Sequence, residues 1–67
     1  MNASAAWQTT SLALDMFPND EAFKSLSSLI QRGETAAALE IVAKEAASEK
    51  DTERLALIRE IKGLLED

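Results

Sequence analysis

The residues in this sequence that could do chemistry are carboxylates. Four of them follow one another closely, at Glu45, Glu49, Asp51 and Glu53. Clustered carboxylates can hold a hard cation, and paired ones can act as general acid and base. A calcium loop of the EF-hand type needs a fixed alternation of oxygen ligands and a central glycine, which this segment lacks. We therefore interpret the four as a solvated face between two helices, and we expect no metal and no cofactor.

The other common catalytic side chains are missing. The chain has no cysteine and no histidine, which removes the thiolate nucleophile, the commonest general base and the commonest metal ligands. Gly33 and Gly63 are isolated, so there is no glycine-rich phosphate loop. A chain of 67 residues also has little room for a pocket of several hundred Å³, roughly the size that a substrate requires. We predict a protein that is not an enzyme and takes no small-molecule substrate.

Charge and hydropathy narrow the classes of partner. The net charge is −5, and the seven basic residues form no run, which disfavours binding to nucleic acid. No segment approaches the roughly 18 apolar residues of a membrane span, and the N-terminus lacks a basic stretch followed by an apolar one. We expect a cytoplasmic protein that binds neither nucleic acid nor membrane.

Two amphipathic segments that meet at Arg32-Gly33-Glu34 organise the chain. In the first, residues 20–32, one side of a helix is apolar. Asn19 is the predicted N-cap, and Gly33 is the predicted left-handed residue after the helix. The second segment, residues 35–47, has its own seam of Leu39, Val42, Ala43 and Ala46. After so short a turn the second helix must fold back on the first, which predicts an antiparallel hairpin.

Two further helices flank the hairpin. Residues 3–17 predict a helix capped by Asn2 or Ser4, and residues 52–65 predict one capped by Asp51, with Ser48 as the alternative cap. Because no glycine or proline interrupts residues 35–65, a single long helix is the alternative for the second half. Gly63 marks either a helix end or the close approach of another backbone. The sequence predicts an all-α domain over residues 1–67, a small bundle of three to four short helices built on the central hairpin.

Side-chain spacing also predicts ion pairs along the helices. Oppositely charged residues three or four positions apart can pair on an exposed helix face. The predicted pairs are Asp20–Lys24, Glu40–Lys44, Asp51–Arg54 and Lys62–Glu66.

Several apolar residues fall outside the stripes that a single core would use. Leu12 and Met16 lie opposite the main stripe of the first helix, and Ile41 lies about 160° from Leu39. The apolar arc of the last helix, which includes Leu57 and Leu64, is wider than one neighbour requires. A lone tryptophan, here Trp7, typically anchors a core or a dimer seam.

These features support two hypotheses of function. In the first, the chain is a non-catalytic protein–protein interaction module that forms a homodimer, or binds another protein, through Leu12, Met16, Ile41, Leu57 and Leu64. In the second, it is a small acidic inhibitor or regulator, antitoxin-like or phage-type, that blocks a basic surface of a protein target. The contact residues would then be Glu45, Glu49, Asp51 and Glu53.

Overall fold

The computed structural model describes all 67 residues, Met1 to Asp67. It contains four helices and no strand: α1 (Ala3–Met16), α2 (Glu21–Gln31), α3 (Thr35–Ser48) and α4 (Thr52–Glu66). The predicted all-α bundle is confirmed. Because α3 and α4 are separate helices, the alternative of one long helix is excluded.

The four helices pack as a closed ring. Each helix packs on its neighbours in sequence and α4 also packs on α1, whereas the backbones of the two diagonal pairs do not come close. The backbone N–H of Asn2 donates to the carbonyl of Leu64 at 2.8 Å, which brings the start of α1 to the end of α4. The hairpin of α2 and α3 therefore forms one half of the ring, and α1 and α4 form the other.

Small residues on α1 and large residues on α2 and α4 fill the core. Ala6 and Ala13 are fully buried on α1, so the neighbouring helices can approach its backbone closely. The buried Thr10 hydroxyl donates to the Ala6 carbonyl at 2.8 Å and so leaves no polar atom unpaired. The largest fully buried apolar side chains come from the other three helices: Phe23, Leu26, Val42, Ile58 and Ile61.

The first two helices begin at side-chain caps. The Asn2 side chain accepts from the Ala5 N–H at 3.1 Å. For α2 the predicted cap, Asn19, is wrong, because the Asp20 side chain accepts from the Phe23 N–H at 3.2 Å. The reason is a turn before the helix: the Asp20 N–H donates to the Phe17 carbonyl at 3.1 Å. That bond places Pro18 and Asn19 in the centre of a β-turn and delays α2 by one residue.

Gly33 ends α2 as the sequence predicts. Its φ is 75°, the only positive φ in the chain. Its N–H donates to the carbonyl of Ile30 at 3.1 Å, and the Glu34 N–H donates to that of Leu29 at 2.9 Å. These two bonds form the Schellman motif, which uses the last carbonyls of the helix and turns the chain back.

Gly63 neither ends a helix nor lies close to another backbone, so both predictions made for it from the sequence are wrong. It lies inside α4, and a Cβ added there would meet no atom within 4 Å. No backbone approaches it, and the helix continues to Glu66. No helix of the chain combines the length and the apolar character that crossing a membrane requires.

Candidate functional site

The outward side of α1 exposes large apolar side chains. Leu12 is 60% exposed and Met16 is 47% exposed. They are four residues apart, so they are neighbours on one side of the helix. Trp7 is 38% exposed and lies about 140° around the helix from Leu12. We call Leu12 and Met16 the α1 patch, and Trp7 lies outside it, about 180° around the helix from Met16.

The other predicted apolar contact residues occupy different surroundings. Ile41, Leu57 and Leu64 are half-buried and pack against the core. Ile41 lies on α3, which is diagonal to α1 in the ring. The structure therefore leaves Leu12 and Met16 exposed together on α1, whereas the core covers part of each of the other three side chains.

A second cluster, which sequence analysis missed, centres on Arg54 in the first turn of α4. Its Nε donates to Asp20 Oδ2 at 2.7 Å, and its Nη2 contacts Asp20 Oδ1 at 3.0 Å. Nη2 also contacts Glu45 Oε1 at 2.8 Å, and Nη1 donates to the Glu49 carboxylate. The guanidinium carbon lies 4.9 Å from the centre of the Phe23 ring. Because Asp20 is the N-cap of α2, Arg54 links the diagonal helices α2 and α4, whose backbones do not come close.

The geometry of this Arg54 cluster accounts for its ionisation. The Arg54 side chain is only 13% exposed, yet its pKa is raised, chiefly because it donates to Asp20 and also to Glu49 and Glu45. The Arg54 guanidinium lowers the pKa of Asp20, and the Phe23 N–H lowers it further. The pKa of Glu49 is lowered first by the backbone N–H of Asp51 and then by Arg54. One cation faces three carboxylates, so the cluster carries excess negative charge.

The four acidic residues singled out in the sequence have separate structural roles. Glu45 and Glu49 bind Arg54. Asp51 is the N-cap of α4, accepting from the Glu53 N–H at 2.9 Å and the Arg54 N–H at 3.1 Å. Glu53 is exposed. Three of the four carboxylates are therefore engaged within the molecule.

Of the four predicted ion pairs, only Lys62–Glu66 forms, at 3.6 Å. Lys24 lies 3.8 Å from Glu21 instead of pairing with Asp20. One signal could have pointed to the Arg54 cluster. A cation in the first turn of a helix faces the positive end of the helix dipole, and it is stable there only with carboxylates around it.

The structure contains no pocket and no group of three or more carboxylates that could hold a metal ion. By fold and surface, the chain is a small four-helix domain with an apolar patch on one helix. Comparison with protein-family models, with curated proteins and with solved structures finds no match to this chain.

Proposed function

We propose that this chain is a non-catalytic interaction module that forms a homodimer through the α1 patch. The observation that carries the proposal is the exposure of Leu12 and Met16 side by side on α1, next to the face of that helix that enters the core. Large apolar side chains that adjoin one another on a surface are typical of contact sites.

The charge distribution favours a second copy as the partner. Each chain carries a net charge of −5, so two copies repel each other over most of their surfaces. Helix α1 is the exception because Asp15 is its only charged residue. In a two-fold dimer the same patch serves both chains, so two α1 helices can meet with few like charges between them.

The surface area is that of a compact folded monomer, which supports a proposal of weak association between folded chains. The chain exposes 4050 Å², close to the roughly 4,200 Å² that surface scaling gives for a compact monomer of this mass. A standard interface buries about 800 Å² per partner, and two side chains with their surroundings on α1 supply less than that. We therefore expect a dissociation constant in the micromolar range or above.

The acidic-inhibitor hypothesis has less support. It requires Glu45, Glu49, Asp51 and Glu53 to be available to a basic target, and the first three already bind groups within the molecule. Recruiting Glu45 or Glu49 to a target would leave the Arg54 guanidinium short of its partners. The apolar surface therefore has the stronger support as the contact site.

Sedimentation equilibrium of matched variants tests the proposal. Leu12→Glu places a charge in the α1 patch, so we expect its dimer dissociation constant to rise at least tenfold, about 1.4 kcal/mol. Ala43, which the sequence predicted in the apolar seam of α3, is exposed in the structure. Ala43→Glu therefore adds the same charge away from the patch and should leave the constant within about twofold. Equal effects of the two variants would show that net charge, and not the patch, controls association.

Circular dichroism must show both variants folded. Ile41→Glu is unsuitable for this test because Ile41 packs against the core, so that an introduced charge would destabilise the monomer.

A further inference from the structure

The break between α3 and α4 is formed by side chains. No glycine or proline lies between Gly33 and Gly63, so the local sequence contains neither of the strongest helix breakers. Helix α3 nevertheless ends at Ser48, and Glu49 adopts an extended conformation with φ −77° and ψ 131°. The alanines and charged residues around this point are mostly good helix formers. Backbone chemistry alone therefore does not require a turn here.

Two carboxylates take the backbone N–H groups that a continuous helix would use. Glu49 Oε1 accepts from the N–H groups of Lys50 at 3.0 Å and Asp51 at 2.8 Å. Asp51 Oδ1 accepts from those of Glu53 and Arg54. In an unbroken α-helix each of these four donors would bond to the carbonyl four residues earlier. The turn thus replaces four helical bonds with bonds to two ionised side chains.

Arg54 completes the arrangement. Its guanidinium holds the second oxygen of Glu49 and reaches Asp20 at the start of α2. The same side chain therefore stabilises the carboxylate that forms the turn and fixes the first turn of α4 to the hairpin.

We propose that the turn at residues 49–51 is a conformational switch. When the Glu49 and Asp51 carboxylates release the backbone, α3 and α4 join into one continuous helix over residues 35–66, about 48 Å long. The bonds lost at the turn are replaced by ordinary helical ones, so no backbone donor is left unpaired.

A joined helix cannot bury both of its apolar stripes in the core of its own chain. On a continuous helix, Ile58 would lie about 160° around the axis from Val42. Both residues are fully buried in the closed form, where the turn lets the two stripes face one core. In the open form the α4 half would have to pack on the α1–α2 half of a second copy. The open form is therefore a dimer in which the two chains exchange their α4 helices. Its contacts do not involve the α1 patch, so it differs from the dimer proposed above.

Pulsed electron–electron distance measurement tests this proposal. The chain has no cysteine, so Ala36→Cys and Lys62→Cys, both at exposed positions, can carry the only two spin labels. All labelled variants also carry Leu12→Glu, which removes association through the α1 patch. In the closed form the labels lie within a molecule whose longest dimension is 27 Å. The Glu49→Ala and Asp51→Ala changes are then added, and labelled chains are refolded with an excess of unlabelled chains of the same variant, so that only distances within one chain are read. We expect a distance of about 39 Å and a doubled mass.

Lys50→Pro supplies the matched control. Proline inside a helix costs about 3 kcal/mol, whereas the extended Glu49 before it suits the closed turn. Added to the same protein, Lys50→Pro should restore the short distance and the single mass. A double-alanine variant that keeps the short distance, or that loses its helical circular dichroism signal, would overturn the proposal. So would a long distance that Lys50→Pro leaves unchanged.

Discussion

The two turns that flank α3 are built in different ways. At Gly33 the backbone makes the turn, with a positive φ and two bonds between main-chain atoms. At residues 49–51 ionised side chains make it, through Glu49, Asp51 and Arg54. The first turn depends on one residue's freedom to adopt a left-handed conformation. The second depends on charge, so the two should respond differently to substitution and to acid.

Removing Arg54, which supports the second turn, should change the stability of the protein most. Arg54→Ala leaves Asp20, Glu45 and Glu49 close together without their cation. Loss of one partner from a fully buried ion pair costs about 3–5 kcal/mol. Because the Arg54 cluster is partly exposed, we expect the free energy of unfolding in urea to fall by about 2 kcal/mol. Arg59→Ala, at an exposed position on the same helix, should change it by less than about 0.5 kcal/mol. Equal losses would rule out the Arg54 cluster as the support of the second turn.

Substitution of Gly33 should have the next largest effect. With φ at 75°, alanine is strained there even though the space is open, and we expect a loss of about 1–2 kcal/mol. Gly63→Ala is the matched control because Gly63 lies in a helix with equally open space around it. That change should stabilise the protein by up to about 1 kcal/mol. Urea unfolding measures both, and the same sign for the two would contradict the left-handed assignment.

Acid should produce the smallest effect, and of the two turns it should weaken the second more than the first. The pKa values of Asp20 and Glu49 are lowered in the folded protein, so the unfolded chain binds more protons as pH falls. Their contribution to stability is complete at neutral pH and is lost as pH falls below about 4, the ordinary range of these carboxyls. We expect the unfolding free energy of Arg54→Ala to fall less steeply there than that of the native chain. If the unfolding free energies of the two proteins fell equally steeply with pH, Arg54 would not be responsible for the lowered pKa values.

Local patterns in the sequence were enough to predict much of the fold. The apolar stripe of α2, the Gly33 turn and the caps at Asn2 and Asp51 depend on residues within one or two helical turns of each other. The Arg54 cluster could not be predicted this way, because Asp20 and Arg54 are 34 residues apart in sequence and meet only after the ring closes. The prediction of Asn19 as the cap was wrong because Asn19 lies inside the β-turn that Pro18 begins. The helix therefore starts one residue later, with Asp20 as its cap.

The apolar surface was predicted in part. Helical periodicity separated Leu12 and Met16 from the core stripe of α1, and both are exposed in the structure. The same periodicity set Ile41 apart from its seam, yet that residue packs against the core. Periodicity gives the direction of a side chain around its own helix, but not which neighbouring helices lie there.

The solution mass of the native chain, measured by light scattering across a dilution series, tests the proposed function most directly. We expect the 7.3 kDa chain to approach twice that mass at high concentration and to return to the single mass on dilution. Added salt should favour the dimer, because it screens the repulsion between two chains of charge −5. A mass that stays at 7.3 kDa up to about 1 mM, where an association free energy of about −4 kcal/mol would already be visible, would contradict self-association through α1.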